Sequence, residues 1–274
     1  MREITATLPS GRLIRGSEWV PRGEPSAAVV IVHGIGEHVG RYERLTSAWS
    51  ARGWCSVGFD HLGHGRTHGA RGHVPHFGWL LDEIDLAVAR AGELAPSRPL
   101  FLYGHSWGGN ILASWLLEHR ASFDGAVLSS PWLRLGHPPA AWRVGLAKLL
   151  NPVLPGLGQK TDIPADHLTR DPREVEAYLA DPLVHHRITL RTFVESAASS
   201  ERVMNHAAEL PGPLLVIQGR DDEVCDPEGA RALAKANDRI VLREYQGRHE
   251  LHHELNAETV IQETVEWMAK TSGV

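Results

Sequence analysis

The stretch YGHSWGGN, residues 103–110, contains the pattern G-x-S-x-G around Ser106. It follows an apolar run typical of a β-strand and precedes a segment with helical periodicity. Where a strand turns this sharply into a helix, side chains two positions before and two positions after the serine would collide, which is a reason for Gly104 and Gly108. The context predicts that Ser106 projects from the carboxyl edge of a sheet, at the start of a helix. The alternative is a glycine-rich turn with an unreactive serine.

Short apolar runs recur on both sides of this turn, and most are apolar at successive positions, as in parallel strands that are covered on both faces. They are residues 28–34, 54–60, 99–106, 125–130, 213–219 and 239–245. The segments between them carry apolar residues three and four positions apart, which is typical of helices that cover a sheet. These are residues 41–53, 78–94, 108–120, 227–237 and 256–271. The alternation predicts an α/β fold with a mostly parallel central sheet flanked by helices, to which residues up to about Val20 add antiparallel edge strands.

One long segment, residues 131–210, interrupts this alternation. It contains no convincing strand, and prolines separate amphipathic pieces at 140–150, 174–180 and 187–210. A structureless loop of that length inside a compact domain would be unusual. We therefore predict a helical cap, or lid, at 131–210, inserted into a core formed by residues 1–130 and 211–274.

A serine hydroxyl is a weak nucleophile until a base takes its proton and an acid orients that base. Ser106 therefore requires a histidine and a carboxylate further along the chain. Asp221 and Asp222 come just after the apolar run at 213–219, and His249 comes just after the run at 239–245. The order serine, aspartate, histidine is that of the α/β-hydrolases.

Five motifs spread over nearly the whole chain share one family pattern: GHSWGG (104–109), HGIGEHVGRY (33–42), FDHLGHGRTHGARGH (59–73), GRDDEVCDP (219–227) and YQGRHELHHE (245–254). Together they resemble the monoglyceride lipase and lysophospholipase group of the α/β-hydrolases. The resemblance implies an α/β-hydrolase fold and a serine carboxylic-ester hydrolase that needs no cofactor. It also implies a small-molecule lipid ester as substrate, with monoacylglycerol first and lysophospholipid as the alternative.

The resemblance further implies roles for single residues. The family pattern G-x-x-D falls on Asp222 as the acid, which leaves Asp221 as a minor alternative, and the family's histidine falls on His249. The oxyanion hole would be formed by the backbone N–H groups of Ile35 and Trp107. The family commonly has a smaller or flexible side chain in place of Trp107, so we expect the indole to narrow the acyl pocket.

Apolar side chains of the predicted cap would line an acyl groove, although they would serve equally as the core of the cap. We expect Trp142, Leu146, Leu150 and Tyr178 to contact substrate. An apolar edge of the cap would also allow transient membrane contact, although no basic amphipathic helix argues for it. Short-chain carboxylesterase and serine peptidase activities share the same core, and a non-catalytic binding protein is a further alternative.

The segment RHELHHEL, residues 248–255, also spells H-E-x-x-H with His249, Glu250 and His253, which raises the alternative of a zinc-dependent hydrolase. Such a site needs a helix through the motif and a third ligand. The residues that follow, ELNAETVIQET, continue no known ligand pattern of this class. We therefore interpret His249 as a general base and predict no metal site.

Other polar residues are interpreted as structural. Glu37 and His38 are expected to hold the oxyanion turn in shape rather than to react. A glycine-rich loop after a predicted strand carries five histidines that we interpret in the same way: His61, His64, His68, His73 and His76.

Composition excludes several classes of protein. The chain has 274 residues and a formal net charge of −5, with scattered Lys and Arg, so we expect no nucleic-acid partner. No apolar run approaches the roughly 18 residues of a membrane span, and the charged N-terminal stretch lacks the apolar region of a signal peptide, so we predict a cytoplasmic protein. Cys55 and Cys225 are expected to be free thiols. The sequence carries no signal for an oligomeric state.

Overall fold

The computed structural model describes residues 1–118, 122–161 and 163–273. Its strands, in chain order, are β1 (Arg2–Thr7), β2 (Leu13–Trp19), β3 (Ala27–Val32), β4 (Trp54–Asp60), β5 (Leu100–His105), β6 (Gly125–Ser129), β7 (Gly158–Lys160), β8 (Arg187–Thr189), β9 (Leu214–Gly219) and β10 (Ile240–Tyr245). Its α-helices are α1 (Glu43–Ala51), α2 (Gly78–Leu94), α3 (Trp107–Glu118), α4 (Ala141–Leu150), α5 (Pro172–Ala180), α6 (Leu190–Asn205), α7 (Pro227–Lys235) and α8 (Ala257–Ser272).

Eight of these strands form one sheet in the order β1-β2-β4-β3-β5-β6-β9-β10. From β4 to β10 all neighbours are parallel, whereas β1 and β2 add to the edge in antiparallel fashion. The predicted α/β class, the parallel core and the antiparallel edge are thus confirmed. Strands β3, β5 and β6 lie at the middle of the sheet, so their carboxyl ends meet at one place.

Helices cover both faces of the sheet because its apolar side chains point alternately to either side. One core lies against α2 and α3 and includes Trp115 and Ile111, and the other lies against α1 and α8 and includes Trp49 and Met268. The helix predicted at 108–120 ends at Glu118 within the described residues, and its predicted last two residues lie outside them. No helix in the described ranges is long and apolar enough to cross a lipid bilayer.

The long segment between β6 and β9 contains α4, α5 and α6 at the positions where the periodicity predicts helices. It also contains the short antiparallel pair β7 and β8, although no strand was predicted there. Each of these strands has three residues, which is too short for an alternating pattern to stand out from its surroundings.

Helix α6 packs against α3 through buried polar side chains rather than projecting from the core. Asn110 donates to the Ser200 hydroxyl, and the Ser199 hydroxyl donates to Asn110. Val203, at the carboxyl half of α6, is fully buried in the same core as α3. We therefore propose that the cap ends before α6, within the predicted span of 131–210.

Candidate active site

Ser106 occupies a strained turn between β5 and α3. Its φ is 54°, in the left-handed region that side chains other than glycine rarely adopt. A Cβ atom on Gly108 would lie 2.1 Å from the carbonyl oxygen of Val32, and one on Gly104 would lie 2.6 Å from the carbonyl oxygen of Gly108. Both positions therefore exclude a side chain, as the pattern around the serine predicts. The carbonyl of Ser106 accepts hydrogen bonds from the N–H groups of Trp132 and Asn110, which hold the turn in place.

The structure brings His249 and Asp222 to this turn. His249 follows β10, and its Nε2 lies 2.8 Å from the Ser106 hydroxyl oxygen. Asp222 follows β9, and its Oδ2 lies 2.9 Å from His249 Nδ1. All three side chains are buried. The hydroxyl, the imidazole and the carboxylate thus form one hydrogen-bonded chain, which is the arrangement that activates a serine nucleophile.

The surroundings of Asp222 keep its carboxylate oriented. Oδ1 accepts hydrogen bonds from the backbone N–H groups of Val224 and Cys225, both at 2.9 Å. Oδ2 accepts one from the amide of Gln218 at 2.8 Å in addition to that from His249. The neighbouring Asp221 is half exposed and accepts a hydrogen bond from Gln246 instead. The geometry therefore favours Asp222 over Asp221 as the partner of the histidine.

Opposing influences act on the pKa of His249. Burial disfavours the charged ring, but the Asp222 carboxylate, through its charge and its hydrogen bond, outweighs burial and raises the pKa above the ordinary value. Glu250 and Glu37 act in the same direction. An imidazole in this environment accepts a proton readily and is stabilised once it carries one.

Ile35 and Trp107, the predicted oxyanion donors, both lie near the serine: Ile35 lines the same cavity as Ser106, and Trp107 follows Ser106 in the chain. Trp107 is the first residue of α3, where an N–H has no partner within the helix. In the described part of the chain, neither this N–H nor that of Ile35 has a hydrogen-bond acceptor. Two free donors near Ser106 are suited to bind a negatively charged oxygen.

The turn that carries Ile35 is held by Glu37. Its Oε1 accepts hydrogen bonds from the N–H of Gly34 at 2.6 Å and from the hydroxyl of Tyr42 at 2.8 Å. His38 pairs with Asp181 at 2.8 Å and so connects the same turn to the segment between β6 and β9. Both residues have the supporting contacts that the sequence predicts for them.

A buried guanidinium that the motifs did not single out links this turn to the histidine segment. Arg41 forms ion pairs with Glu37 and Glu250, and all three side chains are at most 6% exposed. Although burial opposes the charge of Arg41, the two carboxylates raise the pKa of its guanidinium. The guanidinium also lies over the ring of Tyr178, 4.8 Å from its centre.

A cavity of about 900 Å³ opens beside Ser106 and is lined mostly by apolar side chains. Trp142, Leu146 and Leu150, the other expected substrate contacts in the cap, line it together with Ile35 and other residues. Tyr178, which was also expected to contact substrate, is not among the residues that line the cavity, and its ring packs under the Arg41 guanidinium.

The Trp107 indole does not narrow this cavity either. It is fully buried and is absent from the cavity wall. Its Nε1 donates to the Ser196 hydroxyl of α6 at 2.7 Å. The space that a smaller side chain would leave is therefore at the contact between α3 and α6, not in the cavity.

The H-E-x-x-H motif is not arranged as in a zinc hydrolase. Leu251–His253 forms a 3-10 turn rather than an α-helix. Both ring nitrogens of His249 are engaged, one by Asp222 and one by Ser106, and His253 Nδ1 lies 2.9 Å from Glu174. Among the described residues, no group of three or more His, Cys, Asp or Glu side chains is placed to hold a metal ion.

Comparison with known proteins identifies a family for this chain and several proteins that resemble it. Residues 23–256 match the hydrolase family described as serine aminopeptidase, S33. A monoacylglycerol lipase of Mycolicibacterium smegmatis is 31% identical over 254 residues, covering 91% of this chain and 90% of the relative. The human monoglyceride lipase is 36% identical over 244 residues, covering 86% and 80%. The crystal structure of a Paleococcus ferrophilus monoacylglycerol lipase superimposes with a TM-score of 0.86 at 30% identity, covering 94% of this chain and 99% of the other.

Proposed function

The chain belongs to the serine aminopeptidase S33 family of α/β-hydrolases, and on that premise we propose that it hydrolyses monoacylglycerols to fatty acid and glycerol. The observation that carries the proposal is the bonded chain of Ser106, His249 and Asp222 at the wall of a large apolar cavity. Relatives that cover most of the chain and are named for this activity support the choice of substrate.

The reaction would proceed in two steps. The Ser106 oxygen attacks the ester carbonyl while His249 Nε2 takes the hydroxyl proton, and Asp222 stabilises the imidazolium that forms. The N–H groups of Ile35 and Trp107 bind the negative charge on the carbonyl oxygen, where one such donor is typically worth about 2.7–4 kcal/mol of barrier.

The attack gives a tetrahedral intermediate, which then collapses. As the bond between the acyl carbon and the glycerol oxygen breaks, the proton on His249 passes to that oxygen. Water attacks the acyl-serine ester with His249 again as base, and the fatty acid leaves as Ser106 regains its proton. Every proton in this scheme is carried by a group of the chain or by water, so the mechanism needs no cofactor.

The cavity supports a single-chain lipid substrate. Ser106 and the apolar residues of α4 belong to the same wall, so an ester at the serine places its hydrocarbon chain along Leu146 and Leu150. About 900 Å³ is at the upper end of the range of roughly 300–1,000 Å³ that small-molecule sites occupy. We propose that α4 and the loops on either side of it form the roof of this site.

We also propose transient contact of the cap with a lipid surface. Trp142, Leu149 and Val153 are 67%, 74% and 78% exposed around the cavity. The segment 131–161 contains four Lys and Arg residues and neither Asp nor Glu, in a chain whose net charge is negative. Sedimentation with vesicles that contain anionic phospholipid tests this contact, and a variant with Leu149→Ser and Val153→Ser should bind them less. Equal sedimentation of the two proteins would refute it. The cytoplasmic location stays a prediction.

A peptidase is the main alternative, because the family is described by that activity. An aminopeptidase must bind the substrate's ammonium group with an anionic side chain close to the nucleophile. Glu223 is the acidic residue among those that line the cavity in the described ranges, and its side chain is 57% exposed at the surface. The mostly apolar wall of the cavity therefore favours a lipid ester over a peptide with a free amino terminus.

The decisive test measures product release from a matched panel. It contains monoacylglycerols of increasing chain length, a lysophospholipid, short-chain esters and aminoacyl p-nitroanilides, with Ser106→Ala as the blank. Highest kcat/KM on a long-chain monoacylglycerol supports the proposal. Turnover restricted to short esters would retain the serine chemistry and refute the lipid substrate, and turnover restricted to the anilides would establish a peptidase.

A further inference from the structure

A second carboxylate–imidazole pair lies behind the candidate oxyanion turn. Glu83 of α2 contacts His61, which follows β4, through an oxygen at His61 Nδ1. The two side chains are 3% and 2% exposed. No step of the proposed reaction uses either residue. A buried ionisable pair is costly to keep, so a pair without a chemical role calls for another explanation.

Hydrogen bonding determines where the protons of this pair must be. His61 Nε2 lies 3.0 Å from the carbonyl oxygen of His33, and a carbonyl can only accept. Nε2 therefore carries a proton. A second proton must lie between Nδ1 and the Glu83 oxygen, because two acceptors cannot share a hydrogen bond. His61 consequently presents a donor to the His33 carbonyl in either charge state of the pair.

That carbonyl belongs to the peptide unit immediately before the candidate oxyanion donor. The N–H at the other end of the same unit, that of Gly34, donates to Glu37 Oε1 at 2.6 Å. The peptide is thus held at both ends, by His61 on one side and by Glu37 on the other. The next N–H along the chain is that of Ile35, in the peptide unit that follows. Only the φ and ψ angles of Gly34 separate the two units, so a displacement of the first peptide would also displace the Ile35 N–H.

The same peptide is wedged against the nucleophile. A Cβ atom on Gly108 would lie 2.5 Å from the His33 carbonyl oxygen, and one on Gly34 would lie 3.3 Å from Ser106 Cβ. A small rotation of the peptide would therefore move it against the first turn of α3 or away from Ser106. A displacement of about 1 Å in such a site is enough to cost a large factor in rate.

We propose that Glu83 and His61 are positioning residues that hold the His33–Gly34 peptide so that Ile35 N–H faces the developing oxyanion. The inference rests on the proposed function, because it needs Ile35 to be an oxyanion donor. Two buried residues that do not belong to the set of Ser106, His249 and Asp222 would then influence kcat.

The test compares two changes at the pair. In Glu83→Gln the amide can donate to His61 Nδ1 while its oxygen faces Leu62 N–H, as Glu83 Oε1 does now at 3.4 Å. Nε2 then keeps its proton and its bond to His33. The double variant His61→Phe with Glu83→Met removes the donor but replaces both polar groups with apolar ones of similar size, a change that buried pairs often tolerate.

The matched control is Asn237→Ala. Asn237 is buried and donates to the carbonyls of Ala207 and Leu210, far from the serine in the fold, so its loss should lower stability without touching the site. For each variant the thermal unfolding midpoint, kcat and KM on monoacylglycerol, and the affinity for a trifluoromethyl ketone that forms a tetrahedral adduct are measured.

We expect Glu83→Gln to keep kcat within about twofold and the double variant to lose about tenfold or more, since loss of a whole oxyanion donor costs roughly 10²–10³. KM should not change, and affinity for the ketone should fall by the same factor as kcat. Asn237→Ala should unfold at lower temperature with unchanged kcat. An unchanged kcat in the double variant, an equal loss in Glu83→Gln, or an equal loss in Asn237→Ala would overturn the proposal.

A measurement on the unaltered protein covers the case in which the double variant does not fold. In the ¹⁵N spectrum of histidine-labelled protein, assigned by comparison with Glu83→Gln, His61 Nε2 should be protonated in both proteins. An unprotonated Nε2 would overturn the inference. If wild type has no serine-dependent hydrolase activity at all, the proposed function fails instead, and that outcome is separate because it is read from wild type and Ser106→Ala.

Discussion

Replacement of Asp222 by Asn should abolish most activity by fixing the wrong tautomer of His249. Asp222 Oδ1 accepts two backbone N–H groups, which an amide NH₂ cannot do, so the Asn oxygen must occupy that side. The NH₂ group then faces His249 Nδ1 and turns that nitrogen into an acceptor. The ring proton is forced onto Nε2, which points at the Ser106 hydroxyl and can no longer take its proton.

The size of the effect follows from this tautomer. The corresponding change in an unrelated serine hydrolase with the same geometry lowers kcat about 10⁴-fold, and four factors of ten correspond to about 5.4 kcal/mol of barrier. KM should hardly change, because Asp222 is not among the residues that line the cavity. The free energy of unfolding should fall by about 1 kcal/mol, because the Asn NH₂ would face the Gln218 amide that now donates to Oδ2, and that hydrogen bond would be lost.

Initial rates of fatty-acid release and thermal unfolding measure both quantities. Asp221→Asn is the matched control, since that carboxylate lies one position away and is bonded to Gln246 rather than to the histidine. It should retain activity within about twofold, because it removes only a surface contact. A loss below about tenfold in Asp222→Asn, against the roughly 10⁴-fold expected, or an equal loss in both variants, would refute the tautomer argument.

Three further outcomes are expected. Gly108→Ala should lower the free energy of unfolding by about 1–3 kcal/mol or more, because its Cβ would lie 2.1 Å from the Val32 carbonyl oxygen. Gly92→Ala in α2 should raise it by roughly 0.5–1 kcal/mol, because nothing lies within 4 Å of the added Cβ. Equal effects of the two changes in a denaturant titration would contradict this. Because the pKa of His249 is raised, kcat/KM should climb as pH rises through a value above about 6.5. The protonated ring contributes stability that is fully present below the pKa of histidine in the unfolded chain and is lost as pH rises through the raised pKa. A pH–rate profile with a midpoint below about 6.5 would be inconsistent with the raised pKa. Cys225 lines the cavity, and burial raises the pKa of its thiol, so a small maleimide should react with it slowly at neutral pH. The reaction should block turnover in wild type but not in Cys225→Ala. Full activity of completely alkylated protein would disprove the effect.

The sequence was most informative where a repeating pattern or a steric requirement acts locally. Strand β3 is apolar at every position because both faces of the sheet are covered, and α2 begins and ends where its periodicity does. The serine turn was recognisable because two glycines two residues from Ser106 are demanded by backbone contacts alone.

Contacts between distant residues could not be predicted in the same way. Arg41 and Glu250 are 209 positions apart, and His61 and Glu83 lie on a loop and a helix that only the fold brings together. Tyr178 was expected at the cavity because it is apolar and in the cap, but hydrophobicity does not say which neighbour a ring packs against. The extent of the cap is a similar case: the sequence predicts it at 131–210, but a helical period does not reveal which layer of the fold α6 joins.

The role of Ser106 is tested most directly by titrating it with an alkyl fluorophosphonate while monoacylglycerol hydrolysis is followed in the same samples. Intact-protein mass gives the fraction phosphonylated, and peptide mapping gives the site. We expect a single adduct on Ser106 and activity that falls in proportion to it, reaching zero at one equivalent. Activity that persists in fully modified protein, or an adduct on another residue that abolishes it, would contradict the claim that Ser106 performs the hydrolysis.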